Sequence, residues 1–432
     1  MTDIYEIAEY TLKALKNCGA DAAQCIVGRS KKDELNVDGG KFSLMRSTFN
    51  TSISMKAIKD GKKGVTSINQ ATKEAIDEAA AQCIAAAKSS VPDEAEQIAP
   101  FTAKAEYKTG VFEPDLDKLF DRIEEFMSQT KKEYPKVILE QLISDYEHSE
   151  KLYMNTNGTS LRYEHGEYSF STMFSAHEGE KASSFNGYFC ALDNLDKPFM
   201  DAGMQRQLLE ESEKQLDTVS PSEKFVGKVI YSPDCFNELL QTALENFASS
   251  GVLIDGTSPW KDALNTKVAS EKLNLRSVPL DGRTVVGQRF TSDGYPAENM
   301  DIIVDGVLKT FILSQYGANK TGFPRALNGG NNLEVLPGDK TLEEMIAGID
   351  KGLIVNRFSG GQPSSNGDFS GVAKNSFLIE NGKVSSAVSE TMISGNIIDM
   401  LNNIVAISKE QTTDGLSFMP WAEFDGVTVS GK

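Results

Sequence analysis

Histidine is scarce in this chain. There are three in 432 residues, His148, His165 and His177, and after Cys235 the sequence contains neither histidine nor cysteine. Everything beyond that point lacks the imidazole and thiolate groups from which zinc sites are usually built. Cysteine is also sparse: Cys18, Cys25, Cys83, Cys190 and Cys235 are odd in number, scattered, and never spaced as C-x-x-C. This excludes a disulfide framework and a dithiol redox motif, and predicts free thiols buried in a reducing cytoplasm. Lysine and arginine total 44 against 62 aspartate and glutamate, a formal net charge of −18. A generic nucleic-acid surface needs clustered basic residues, so that class is disfavoured. No apolar run approaches the roughly 18 residues of a membrane helix. The start, Met1-Thr2-Asp3-Ile4-Tyr5-Glu6, has neither the basic nor the apolar region of a signal peptide. We therefore expect a cytoplasmic protein with no membrane contact. No P-loop, no G-x-G-x-x-G, no G-x-S-x-G and no short repeat is present.

What is there reads as an ordinary globular chain, 40% apolar and 25% charged. Its length predicts about two to three domains and a sizeable core. Residues 4–17 have near-helical apolar spacing, with Gly19 as a stop. Strands are expected over 22–28, 34–37, 43–49, 51–58 and 65–68. Thr72 caps a helix over 73–87 with a continuous apolar stripe. Residues 89–107 read as a linker. Leu116, Leu119, Phe120, Ile123 and Met127 mark an amphipathic helix, followed by strands over 137–145, 151–156, 160–163, 168–176 and 183–192, and a helix over 202–216. The last unit is mostly strand and turn, with one long helix over 234–248. Asp281-Gly282, Asp305-Gly306 and Asn381-Gly382 look like turns between strands. The fold class is therefore α+β: a helix-plus-sheet N-terminal part in two units, 1–100 and 101–220, then a β-rich, mostly antiparallel C-terminal domain, 221–432.

The stretch that organises the rest is 360–401. It opens on a glycine-rich loop, Gly360-Gly361-Gln362-Pro363 through Asn366-Gly367-Asp368, and runs through Phe377-Leu378-Ile379 and Asn381-Gly382 to Ser394-Gly395-Asn396 and a short apolar helix. Such a loop can approach another backbone or a ligand closely; equally, it can be a surface loop over a sheet. This arrangement resembles the TldD/PmbA family: the GGQ-type loop, GDFS, FLIENGKV and SGNIIDML. The resemblance extends to Asp293-Gly294-Tyr295-Pro296, to 301–322, to Phe424-Asp425-Gly426, and to 35–64 at the other end. It covers nearly the whole chain. No single motif is diagnostic; their order is.

The family contains zinc peptidases whose active subunits carry an HExxxH helix early in the last domain and a cysteine near the carboxyl end. In this chain the corresponding helix, 234–248, has no histidine, and 408–415 has no cysteine. The resemblance thus implies a PmbA-like (TldE-like) member with no catalytic residue and no metal ligand of its own. Zinc is expected in a TldD-like partner subunit, in a heterodimer, with a homodimer as the other possibility. The assembly would cut small or unfolded peptides, including precursors of gene-encoded peptide antibiotics. For holding peptide backbone, Gly360, Gly361, Asn366, Gly367, Asp368, Gly395 and Asn396 are the candidates, since glycines permit strand-like pairing with an extended chain. Two rival readings are a binding or regulatory protein, the modulator-of-DNA-gyrase type, and a self-sufficient homodimeric hydrolase using Glu238 and Glu245 or the three histidines. Cys235 falls on the apolar face of its helix and reads as core. Trp260 and Trp421 read as packing residues.

Overall fold

The computed structural model describes residues 3–389 and 391–431; Met1 and Thr2, where the reading of the amino terminus begins, lie outside the described residues. Helix α1 (Ile4–Asn17) starts where Asp3 accepts from the amides of Tyr5 and Glu6, at 2.9 and 3.0 Å. There follow β1 (Ala22–Asp38), β2 (Lys41–Lys59), β3 (Lys62–Ile68), α2 (Lys73–Ser89), β4 (Lys104–Gly110), α3 (Leu116–Glu133), β5 (Val137–Asn155), β6 (Ser160–Glu178), β7 (Lys181–Ala182), β8 (Asn186–Leu192) and α4 (Gln205–Lys214). One sheet takes all of these strands, in the order β3-β2-β1-β5-β6-β4, with β7 and β8 also on β6. All its pairs are antiparallel except β4 with β6.

Four strands run longer than their sequence suggests. The polar stretches near Lys32 and His165 read as breaks, but the strands continue through them. Cross-strand partners carry them: Lys32 reaches Glu147 at 3.0 Å and Asp145 at 3.3 Å. The sheet also runs across the expected boundary at residue 100, because β1 pairs with β5 from Gln24–Asn155 to Asp38–Gln141. The helices all lie on one face. Helices α1 and α2 cover Cys25, Val27 and Ile53 at one end, while α3 and α4 cover Leu35, Tyr146 and Phe170 at the other.

The second domain adds β9 (Thr218–Val219), β10 (Phe225–Tyr231), α5 (Pro233–Ala248), α6 (Ser250–Ile254), β11 (Leu275–Ser277), β12 (Met300–Val304), β13 (Val307–Leu308), α7 (Gln315–Thr321), β14 (Leu333–Val335), α8 (Leu342–Ala347), β15 (Lys351–Val355), β16 (Arg357–Gly360), β17 (Asp368–Lys374), β18 (Ser376–Glu380), β19 (Lys383–Val388), β20 (Met392–Asn396), α9 (Ile397–Asn402), β21 (Ile404–Thr413) and β22 (Phe418–Ser430). They form one mixed, mostly antiparallel sheet, ordered β13-β12-β11-β14-β22-β10-β15-β18-β19-β9, with β16, β17, β20 and β21 attached through β20 and β22.

This second sheet is buried on both faces. Val229, Tyr231, Leu353 and Val355 point to the core under α5. Their neighbours Ile230 and Ile354, with Phe377, Ile379 and Trp421, join the core formed by α3, α4, β5, β6 and β8. That alternation makes strands apolar at successive positions, and it fastens the two domains through a shared core. Asp305-Gly306 and Asn381-Gly382 are tight turns with positive φ at both positions, 47° and 76°, and 51° and 74°. Asp281-Gly282 is not. No strand follows it until Met300, and Asp281 instead holds the side chain of Arg283 at 2.9 Å. Its flanking residues form no strand ladder; the Thr284 hydroxyl instead donates to Val278 O at 3.0 Å.

Candidate functional site

Helix α5 separates the cavities that matter. Ser232 caps it, its hydroxyl accepting from the Cys235 amide at 3.4 Å, and Pro233 occupies the first turn, where a missing N–H costs nothing. Phe236, Leu240, Ala243 and Phe247 bury one side of the helix. Two other sides remain. Asn237 and Gln241, one turn apart, face a cavity of about 710 Å³. Glu238 and Thr242 face a smaller one of about 260 Å³. A third, of about 360 Å³, opens beside Asp234, Glu238, Asn356 and Arg357.

The large cavity lies between the two domains. Its first wall is the helix-free face of the first sheet, at Gly28, Ser30, Ser52 and Lys151. Its second is the segment 286–290 with 331–333 and 414–417. Of the segment 408–415, Asp414 lines this cavity, and next to it Ser417 meets α5. Asn237 Nδ2 donates to Ser417 Oγ at 3.3 Å, and the Asp414 carboxylate accepts from the amides of Leu416 and Ser417 at 2.8 and 2.7 Å. Amides and hydroxyls predominate here, and they do not fit zinc, which takes imidazole, thiolate and carboxylate. Among the described residues no three His, Cys, Asp or Glu side chains form a group able to hold a metal ion.

The glycine-rich loop divides into two parts. Gly360 and Gly361 line the 260 Å³ cavity together with Cys235, Glu238 and Thr242. Gly360 ends β16, which pairs with β17 on one side, leaving its other edge without a strand partner among the described residues. The remaining candidates are held by one another. Asn396 Nδ2 donates to Asn366 O and to Asp368 Oδ1, each at 2.9 Å, while its Oδ1 accepts from Ile398 and Asp399 to cap α9. Gly395 pairs with Phe369 in the β17–β20 ladder. Gly367, at φ +94°, lies 3.0 Å from the Phe247 ring as measured from a built Cβ. These hydrogen bonds hold Asp368 below the usual carboxylate range, the bonds from Asn396 and Asn366 being the cause.

The other candidates are not brought together. Glu238 lines two cavities, whereas Glu245 is exposed and lines neither. His148 bonds Glu164 at 3.1 Å on the face that carries the helices; His165 bonds Thr109 Oγ1 at 2.8 Å on the opposite face; His177 bonds Ser175 at 2.9 Å. Cys235 is buried, and burial pushes its thiol up to about 12, away from the thiolate form that a nucleophile uses. Trp260 packs on Phe247, ring centroids 5.1 Å apart, and Trp421 sits in the shared core. Lys151, Tyr163 and Arg289, which line the large cavity, were not singled out from sequence. Each sits among other polar residues with nothing local to set it apart, and only the strand register and the domain contact bring them to one cavity.

The chain is similar to known proteins in sequence and in fold. Residues 224–431 match the family model described as the PmbA/TldA metallopeptidase C-terminal domain, and residues 23–87 match PmbA/TldA metallopeptidase domain 1. Metalloprotease PmbA of Escherichia coli O157:H7 is 31% identical over 155 residues, 35% of this chain and 34% of that protein. Across the first curated relatives the aligned part spans 34 to 44% of their own lengths. The fold likeness is far more extensive. The crystal structure of TldE from Thermococcus kodakarensis superposes with a TM-score of 0.83 at 22% identity, over 98% of this chain and 100% of that one. A Bacteroides thetaiotaomicron protein proposed to modulate DNA gyrase gives 0.82 at 24% identity, with full coverage of both. Among the described residues no helix is long and apolar enough to cross a membrane. With both family models matched in order over more than half of its length, and the fold shared end to end, the chain belongs to the PmbA/TldD metallopeptidase family.

Proposed function

We propose that this chain is the PmbA/TldE-like subunit of a cytoplasmic metallopeptidase system, contributing the peptide-holding half of a chamber while a TldD-like partner contributes the zinc. The observation that carries this reading is α5. It stands where two cavities and the 408–415 segment converge, yet the side chains it presents there are Asn237, Gln241, Glu238 and Thr242. The scaffold of the family is kept and an imidazole set is not.

The work left to this chain is binding and orientation. The edge of β16 that no described strand pairs offers main-chain donors and acceptors to an extended peptide, which gives affinity without demanding a sequence. Gly360 and Gly361 bring that edge next to Glu238 and Thr242 without side chains in the way. When bound in the partner, zinc would supply Lewis-acid activation of water and of the scissile carbonyl. A small or unfolded peptide fits this recognition; a folded protein, whose backbone is already paired, does not.

The test is a peptidase assay on unfolded protein and short peptides, with this chain alone, with a TldD-like partner, and with both plus chelator. Activity in the mixture only, lost with chelator, is the expected result. Cleavage by this chain alone would overturn the reading and favour a self-sufficient homodimeric hydrolase. A second reading, a regulatory protein, rests on the description of the Bacteroides neighbour. With a net charge of −18 its partner would be a basic protein, and a pulldown dominated by gyrase would favour it.

A further inference from the structure

Three cations line the large cavity, Arg29, Lys151 and Arg289, and among the described residues no carboxylate pairs with Lys151 or Arg289. Lys151 lies on β5 directly across from Gly28 of β1 and Tyr163 of β6. Gly28 has no side chain to fill the space beside it; a built Cβ there would already stand 2.8 Å from Ser52 Oγ. The Lys151 ammonium lies 5.8 Å from the ring centre of Phe290, and among the described residues no carboxylate comes within 4 Å of it. Arg289, the next residue along from Phe290, stands 5.9 Å above the ring of Tyr163. Its Nε is buried and has no hydrogen-bond partner, and again no described carboxylate pairs with it.

The acidic groups of this cavity are already engaged. Glu150 binds Arg162 at 2.6 Å, and Asp414 accepts from backbone amides. Lys151 is exposed as a whole residue, and the partial enclosure of its side chain pushes its pKa below the usual lysine value. The buried Nε of Arg289 has no acceptor, and an anion in the cavity would supply one. The pair cannot be a patch of a generally basic surface, because the chain carries a net −18. It is a local exception inside a cavity of about 710 Å³, room enough for a short stretch of peptide.

We propose that this cavity is a carboxylate-binding subsite, in which Lys151 and Arg289 receive a carboxylate of the bound peptide, either its C-terminal group or an Asp or Glu side chain. This rests on the peptide-chamber reading above and narrows it to peptides that bring a negative charge to this point. Arg289 offers a planar fork suited to two carboxylate oxygens, and Lys151 a compact charge on the lining of the same cavity. Tyr163 and Phe290 form the apolar sides that keep the charged contact out of bulk water.

The test is isothermal titration of the full-length chain with three hexapeptides of otherwise equal sequence. One has a free C-terminus and no acidic side chain, one an amidated C-terminus and a single Glu, and one an amidated C-terminus with Gln in place of Glu. At least one carboxylate peptide should bind about tenfold or more tighter than the neutral one, the scale of a charge-assisted hydrogen bond. The arm that wins identifies the source of the carboxylate. Lys151→Gln and Arg289→Gln should each erase the preference with the melting temperature unchanged, and Lys151→Arg should keep it. Equal binding of all three peptides overturns the subsite and leaves the peptide reading standing. Absence of binding by both carboxylate peptides overturns it too, as does a preference that survives Lys151→Gln. A charge preference without partner-dependent proteolysis keeps the subsite and removes the peptidase reading.

Discussion

Gly294 lies against the ring of Tyr153: a Cβ built at Gly294 would stand 2.3 Å from the ring's Cζ, and the backbone there has φ +90°. Tyr153 belongs to β5 of the first domain, Gly294 to the turn Asp293-Gly294-Tyr295-Pro296 of the second. The carbonyl of Gly294 also accepts from Thr102 Oγ1 at 2.6 Å. This turn, which in sequence serves only to mark a family, is thus a point where the two domains touch with no room for a side chain.

Gly294→Ala should lower stability by about 2 to 4 kcal/mol, combining the contact with the ring and the strain of a positive φ. Gly282→Ala, with nothing within 4 Å of its built Cβ, should stay within about 0.5 kcal/mol. Urea unfolding of the two variants measures the difference. Equal midpoints would mean that the domain contact yields at little cost.

The glycines of the organising loop should part company. Nothing lies within 4 Å of a Cβ built at Gly361, whereas Gly367 has φ +94° and the Phe247 ring at 3.0 Å. Gly361→Val should leave the melting temperature unchanged and reduce partner-dependent peptide cleavage by about tenfold or more, if the β16 edge pairs with substrate. Gly367→Val should destabilise the fold, by about 2 kcal/mol or more. Undiminished cleavage by the Gly361 variant would remove the loop from the substrate path.

Glu167 predicts a pH dependence. Burial, then the nearby carboxylates of Glu147 and Asp145, push its pKa up to about 7. The ordinary unfolded value is about 4.3, so between these values the folded chain binds more protons than the unfolded one and stability falls as pH rises. Below about pH 4 the group is protonated in both states, and above about pH 7 the penalty is complete. Glu167→Gln should therefore be more stable than the parent at pH 8, by up to about 3 kcal/mol, with the difference fading toward pH 4.5. Denaturant melts at both pH values decide it; a difference independent of pH would show that Glu167 ionises freely.

The cysteines predict a labelling pattern. Burial pushes the thiols of Cys25, Cys190 and Cys235 up to about 12 and raises that of Cys83, while Cys18 is half-buried. Iodoacetamide at pH 8 should modify Cys18 alone in the folded chain and all five after denaturation, as read by mass spectrometry. Rapid native labelling of Cys235 would reopen it as a nucleophile.

Sequence by itself determined the local elements. The apolar stripes of α1, α2, α3 and α5, the cap at Thr72, and the Asp305-Gly306 and Asn381-Gly382 turns with positive φ are properties of a few neighbouring residues, so a period or a turn pair reveals them. It also determined what α5 lacks, since an absent imidazole needs no coordinates. Tertiary structure alone decided the rest. The charged middles of β1 and β6 look like breaks until cross-strand partners neutralise them, and those partners lie more than a hundred residues away for Lys32 and Asp145. The same holds for the loop: only the packing of Phe247 and Asn396 separates Gly367, a fixed turn, from Gly361, an open edge. Strand register and a domain contact place Lys151 and Arg289 on one cavity, and a charge without a partner is visible only once its possible partners have been placed.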